Sequence, residues 1–298
     1  MRWQGLLLSV FATVSLAGCM GDDSSDSMPP GGPVVTAIDV GSPRYRTAWT
    51  FAIVGTGLDS DVAVTTSGCE QPTLSKEAPF VSTDAVAYYQ CPRLVNVGLG
   101  QVIVTRASDG TPLRSAQFTV PLPEVTLSVG NGLGVFGDVV VRLRADLKPA
   151  TVDNFLGYVE SGFYAGTIFH YVFPDLGIQG GGFLPYAPDE TRVPRPTRPP
   201  IDVENDRWNH LSNLKWTVAA AQTSLFASTS QIWINLQDNV FLDDLGSGNA
   251  LVVFGSIIEG TDVVAAIAAA PCVFTRYDAA PGCLPLPNVV ITAARQTR

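Results

Sequence analysis

The feature that most confines this chain is the shortness of its apolar runs. Beyond the N-terminus they are β-branched or aromatic and break at Gly, Ser, Asp or Pro. Residues 50–54 (TFAIV), 62–66 (VAVTT), 85–89 (AVAYY) and 101–105 (QVIVT) set the pattern. Such runs suit strands, and the breakers between them suit turns. Their regular spacing from residue 33 to 120 reads as a β-sandwich. A hydrophobic fraction of 46% against 15% charged residues supports a real core and excludes global disorder. At about 150 residues per domain, 298 residues suggest two domains. The net charge is −9 and no basic run occurs, so nucleic acid is not expected as a partner, because phosphate contacts need clustered Lys and Arg. The two histidines, His170 and His210, leave little for a His-rich metal site or a Ser-His-Asp triad. No metal and no cofactor are expected, and nothing in residues 33–120 looks chemical.

Residues 5–18 (GLLLSVFATVSLAG) follow the positive Arg2 and end in small residues directly before Cys19. This reads as a secretory signal, too short for a membrane anchor. Leu16-Ala17-Gly18-Cys19 resembles the bacterial lipobox, which implies removal of residues 1–18 and lipidation of Cys19. Met20 in place of Asp implies release toward the outer membrane. The expected location is therefore the bacterial cell envelope, lipid-anchored at the outer membrane and facing the periplasm. Residues 19–32, rich in Asp, Ser, Pro and Gly, read as a flexible tether. Elsewhere no run reaches the ~18 apolar residues of a membrane span.

With Cys19 assigned to lipid, Cys69, Cys91, Cys272 and Cys283 remain. Pairing within each half, Cys69–Cys91 and Cys272–Cys283, is simplest in an oxidising compartment. Four buried free thiols is the competing reading. No C-x-x-C spacing favours zinc.

The opening of the first half resembles immunoglobulin-like domains of the TIG type, here a spacer or interaction module. Pro121-Leu122-Pro123 marks a boundary, because proline interrupts strand pairing. Residues 125–129 and 138–144 then read as a hairpin. Residues 149–159 read as a helix with Thr151 and Asp153 in its first turn and Val152, Phe155, Leu156 and Val159 on one stripe. Residues 263–270 read as a second, Ala-rich helix. Strands with two helices suggest a closed barrel with helical covers.

Several blocks then occur in a fixed order: residues 148–152 (KPATV), 154–155 (NF), 161–164 (SGFY), 169–174 (FHYVFP) and 179–183 (QGGGF). Residues 217–221 (TVAAA), 229–236 (TSQIWINL), 238–239 (DN), 241–243 (FLD) and 253–255 (VFG) complete the series. Over residues 124–298 this resembles the cyclophilin-type peptidyl-prolyl isomerases, especially the exported bacterial ones. The resemblance implies a closed antiparallel barrel with two helices, so that with the immunoglobulin-like sandwich read from the first half the whole chain is expected to be mainly β. It also implies proline-containing polypeptide segments as partners, and a monomer is expected.

The implied reaction is rotation about an Xaa–Pro bond, against a barrier of ~18–20 kcal/mol set by amide resonance. It needs an apolar slot for the proline ring and polar groups that favour the twisted amide over both planar forms. Carried over by position, the resemblance implies a slot lined by Phe169, Leu176, Gly177, Ala221, Trp233 and Leu242, with His170 and Phe241 also contacting substrate. Without it, Phe169, Trp233 and Leu242 would read as ordinary core. Gln179 and Gln231 would bond the substrate amide, beside Tyr171.

Three departures matter. The family carries Arg directly after the Phe-His pair, where this chain has Tyr171. The usual Met of the slot floor is Gly177, which enlarges the slot and leaves space for the larger Trp233 to refill. The bacterial Met-Ala-Arg segment reads Ala220-Ala221-Gln222. Tyrosine donates one neutral hydrogen bond and supplies no cation, so weakened activity is expected. Residues 185–210 read as a solvated loop, yet Arg192, Arg195 and Arg198 recur every third residue and would share one face in polyproline II geometry. One of them could reach back and replace the missing cation. Two functions stay open: a tethered isomerase, and a module that binds proline segments with little turnover. A spacer lipoprotein is a third.

Overall fold

The computed structural model describes residues 31–202, 204, 210–224, 227–243, 251–275 and 282–298, with side chains at 223 and 224 left aside. The expected signal, Cys19 and the tether up to residue 30 lie outside the described residues. Residues 33–298 form one compact unit.

Its first part contains β1 (Val34–Asp39), β2 (Trp49–Thr56), β3 (Val62–Thr66), β4 (Thr73–Leu74), β5 (Val86–Cys91), β6 (Gly98–Arg106) and β7 (Pro112–Val120). They form a four-stranded sheet, β1-β2-β5-β4, and a three-stranded sheet, β3-β6-β7. Period-2 alternation sets the inner face: Trp49, Phe51 and Ile53 are buried on β2, and Val102 and Val104 on β6. Trp49 meets Phe118 of β7 at 4.6 Å between ring centroids, joining the sheets. Cys69, bridged to Thr66 at the end of β3, is bonded to Cys91 of β5. Closing this loop contributes about 3 kcal/mol in the chain-entropy account.

The second part contains β8 (Glu124–Gly130), β9 (Phe136–Leu143), α1 (Pro149–Glu160), β10 (Thr167–Phe173), β11 (Gly177–Gly180), β12 (Ile201–Asp202), β13 (Thr217–Ser224) and β14 (Ala227–Asn235). It continues through a 3₁₀ turn (Val240–Asp243), β15 (Val252–Glu259), α2 (Thr261–Ala268), β16 (Cys272–Val273), β17 (Leu284–Pro285) and β18 (Val289–Gln296). The order β11-β10-β18-β8-β9-β15-β13-β14 closes through β11–β14 into an eight-stranded antiparallel barrel, the expected fold. Cys272 and Cys283 are bonded beside the β16–β17 ladder.

Helix α1 buries Val152, Phe155, Leu156 and Val159 as its periodicity predicts. Its N-terminus is held differently from expectation. The N–H groups of Ala150 and Thr151 donate to the Glu204 carboxylate at 3.1 and 2.7 Å, a charge suited to the positive end of a helix. Asp153 instead turns toward the sandwich. It accepts from Tyr45 Oη at 2.7 Å and pairs with Arg46 and Arg93, each at 3.3 Å. Arg46 also forks onto both carboxylate oxygens of Glu160. Burial, then the Asp153 contact, pushes the Tyr45 hydroxyl far above its ordinary pKa.

Residues 185–202 of the Pro- and Arg-containing segment expected as a solvated loop form a strap docked on the barrel and α1. Phe183 bridges Pro194, and β12 adds to β14. Arg192, Arg195 and Arg198 do share the barrel-facing side. Their guanidinium carbons stand 4.7 Å from the Tyr171 ring, 5.3 Å from Phe163 and 5.1 Å from Tyr158. Each such stack is worth about 0.5–2 kcal/mol, and carbonyls of Ala165 and Gly157 accept from the latter two arginines. Composition suggested solvation, but the stacked aromatics and the β14 edge gave the strap partners.

Candidate active site

The barrel register places the candidate residues in a row. Tyr171 on β10 lies opposite Gln179 on β11, Gln179 opposite Trp233 on β14, and Trp233 opposite Ala219 on β13. Directly opposed residues share a face. Trp233, Ala219 and Val253 form a cluster distinct from the main core, with Phe173, Leu176 and Leu242 packed against it. Phe173 stands between Tyr171 and Trp233, at 5.8 and 5.6 Å between ring centroids. Sequence reasoning left Phe173 out of the site, although its position two residues past Tyr171 on one strand puts both on the same face.

Phe169 and His170 are corrections. Alternation from Tyr171 would carry Phe169 onto the site's face. A β-bulge intervenes: Phe169 pairs with Gly180 and Tyr171 with Gln179, so His170 is the extra residue and the alternation resets. Phe169 is fully buried in the main core. His170 is 1% exposed, packed edge-on against Phe183 at 4.7 Å. Neither lines a slot. Ala221 is buried at a second irregularity of β13, between Ala220 and Gln222. Phe241 stands 65% exposed on the 3₁₀ turn beside Leu242.

Trp233 lies against Gly177. A β-carbon added at residue 177 would lie 2.3 Å from Trp233 Cζ2 and 2.7 Å from the Ile234 carbonyl oxygen. The indole occupies the space a side chain at 177 would take. Gln231 lies likewise over Gly182, where a β-carbon would meet its side chain at 2.7 Å. Gln179 Nε2 donates to Gln231 Oε1 at 2.6 Å, which orients the two carboxamides against each other. Gln179 thus projects from β11 while the glycines after it admit neighbouring side chains.

Under this face runs a buried amide network. Trp233 Nε1 and Asn239 Nδ2 both donate to Asn235 Oδ1 at 2.8 Å. Asn235 Nδ2 donates to Asn213 Oδ1 at 3.0 Å and to Thr217 Oγ1 at 2.9 Å. Asn239 also donates to the Leu176 carbonyl at 2.8 Å. Asn213, Asn235 and Asn239 have no exposed surface. They position Trp233 and Leu176. Sequence reading gave them no role, although Asn235 and Asn239 stand in the ordered blocks, because their convergence in space is not visible in their spacing.

The network ends at Asp243, next to Leu242. Its carboxylate accepts from Ser212 Oγ, from the Asn213 backbone N–H at 2.8 Å and from Asn213 Nδ2 at 2.7 Å. Burial raises its pKa, but these hydrogen bonds and His210 outweigh burial and hold it below the ordinary value. A depressed carboxylate stabilises the fold fully above the ordinary pKa of about 4, and that contribution is lost as pH falls through the lower folded value. Asp243→Asn is therefore expected to flatten the decline of stability between about pH 5 and pH 2, read from urea midpoints. An unchanged slope would contradict it.

At the other end of the row, Tyr171 Oη accepts a hydrogen bond from Arg192 Nη2 at 2.7 Å. The strap thus brings a guanidinium to the Tyr171 hydroxyl. The assembled face offers an aromatic floor, an oriented carboxamide pair and a guanidinium. It has the parts for holding a flat, apolar ring beside an amide.

Known proteins share this chain's pattern. The sequence profile of the family described as "Cyclophilin type peptidyl-prolyl cis-trans isomerase/CLD" matches residues 125–295. A peptidyl-prolyl cis-trans isomerase of Streptomyces antibioticus is 42% identical over 135 residues, 44% of this chain and 77% of that protein. Peptidyl-prolyl cis-trans isomerase A of Dickeya dadantii is 41% identical over 128 residues, 43% of this chain and 64% of that protein. Peptidyl-prolyl cis-trans isomerase B of Escherichia coli K12 is 40% identical over 132 residues, 43% and 76% respectively. With the closed barrel and the residues gathered on its outer face, these matches establish that the chain belongs to the cyclophilin-type peptidyl-prolyl cis-trans isomerases.

Proposed function

We propose that this chain is a lipid-anchored prolyl isomerase acting slowly on proline-containing segments outside the cytoplasm. The observation that carries the reading is the row Tyr171–Gln179–Trp233, with Phe173, Leu176 and Leu242 around the indole. The proline ring rests on the Trp233 surface, with Phe241 at the rim. The Gln179–Gln231 pair bonds the amide of the twisted bond. No covalent step is required, because the barrier is loss of amide resonance and binding the twisted state more tightly lowers it. Slow turnover follows from Tyr171, a neutral donor on the sheet where the family resemblance implies a guanidinium. Export and anchoring are supported by the apolar run and Leu16-Ala17-Gly18-Cys19. The seven-stranded sandwich serves as a TIG-like spacer or interaction module, and the chain acts as a monomer.

Cis–trans exchange of a tetrapeptide with one Ala-Pro bond, followed by NMR, tests the activity. Substoichiometric full-length protein should accelerate exchange above the uncatalysed rate, whose time scale is roughly tens to hundreds of seconds. Peptide binding without any acceleration would favour the binding-module reading. The anchor is checked by the mass of the mature N-terminus, which should begin at lipid-bearing Cys19; an intact Met1 terminus refutes it.

A further inference from the structure

Arg192 belongs to no strand of the barrel, yet it ends at the row just described. Its Nη2 donates to Tyr171 Oη at 2.7 Å and lies 3.4 Å from Thr275 Oγ1. The guanidinium carbon is 4.7 Å from the Tyr171 ring centroid and 5.8 Å from that of Phe183. The strap is fixed on both sides of it. The Leu184 N–H donates to the Val193 carbonyl, and the Arg195 N–H to the Gly182 carbonyl, both at 3.0 Å. The guanidinium is therefore held before any peptide arrives, which is the condition under which a donor stabilises a transition state without reorganising. Arg195 and Arg198 are directed elsewhere, to the carbonyls of Ala165 and Gly157.

Building on the isomerase reading above, we infer that Arg192 is the catalytic cation of this site, delivered by the strap rather than by the sheet. In the planar amide the nitrogen lone pair is delocalised into the carbonyl. When the C–N bond turns, that pair localises on nitrogen and becomes a hydrogen-bond acceptor. A guanidinium beside Tyr171 donates to it in the twisted form and gains little from either planar form, which is the differential binding catalysis requires. No bond other than the rotating one changes and no proton is transferred. Tyr171 is the anchor of the guanidinium: its ring carries the stack and its hydroxyl fixes the fork. A cation held through a tyrosine and a strap is less rigid than one grown from the strand, in keeping with slow turnover.

The test uses the full chain and the Ala-Pro tetrapeptide, with exchange rate and peptide affinity measured separately. Arg192→Ala should lower kcat/KM by about 10–10²-fold and leave the peptide Kd within about threefold, because the contact forms in the transition state. Arg192→Lys should recover part of the loss, since the charge returns without the planar fork. Arg195→Ala, which loosens the same strap away from the row, should leave turnover unchanged. Unfolding midpoints confirm that each variant is folded. Turnover that survives Arg192→Ala overturns the inference and leaves the isomerase reading standing, as does an equal loss in Arg195→Ala, which would make the strap merely structural. Absence of turnover in the wild type overturns both.

Discussion

Trp233→Ala is expected to cost about 3–5 kcal/mol of stability, the range for truncating a large buried aromatic side chain. The ring is 6% exposed, packs with Phe173, Leu176 and Leu242, and fills the volume that a side chain at residue 177 would need. Gly177→Met should by itself destabilise by about 1–3 kcal/mol or more, since overpacking forces neighbouring groups aside. Here the obstacles are the indole and the Ile234 carbonyl oxygen. Together the two changes should cost less than the sum, with a coupling of about 0.5–3 kcal/mol, because the methionine enters the space the indole leaves. The carbonyl stays in place, so rescue is partial. Urea unfolding of the four proteins in the cycle measures this. Additive costs would mean that 177 and 233 do not share one volume. Peptide affinity should fall in Trp233→Ala even where the fold survives, because the floor of the site is gone.

The second large effect is expected at Asn235. Asn235→Ala removes the acceptor of the Trp233 and Asn239 donors and the donor to Asn213 and Thr217 in one step. A buried polar group left without its partner costs about 1–3 kcal/mol, and members of one network do not fail independently. A total of at least about 3 kcal/mol is expected from unfolding midpoints. A loss below about 1 kcal/mol would show that water or neighbouring amides take over the four contacts. Because Asn239 also holds the Leu176 carbonyl, a surviving Asn235→Ala protein should bind the Ala-Pro tetrapeptide more weakly. An exposed asparagine changed to alanine, such as Asn96 between β5 and β6, would leave that binding untouched.

Much of this protein was determined by the sequence alone. Short β-branched runs between glycines and prolines dictated strands, because the period of burial is two and the breakers remove pairing partners. The stripe Val152, Phe155, Leu156 and Val159 dictated α1. The ordered blocks from residue 148 to 255 identified the barrel and its reaction. What the tertiary structure decided is everything that depends on which distant residues meet. Whether Phe169 lines the site or the core turned on one inserted residue, His170, since a bulge resets alternation without leaving a compositional mark. The asparagines at 213, 235 and 239 look like turn residues until β13, β14 and the 3₁₀ turn bring them within hydrogen-bond reach. The strap reads as solvated from its prolines and charges, because a guanidinium is as much at home in water as on an aromatic ring. Only the tertiary structure, by bringing Tyr171 of β10, Phe163 of the turn after α1 and Tyr158 of α1 to the strap, supplied those rings and set Arg192 against the site.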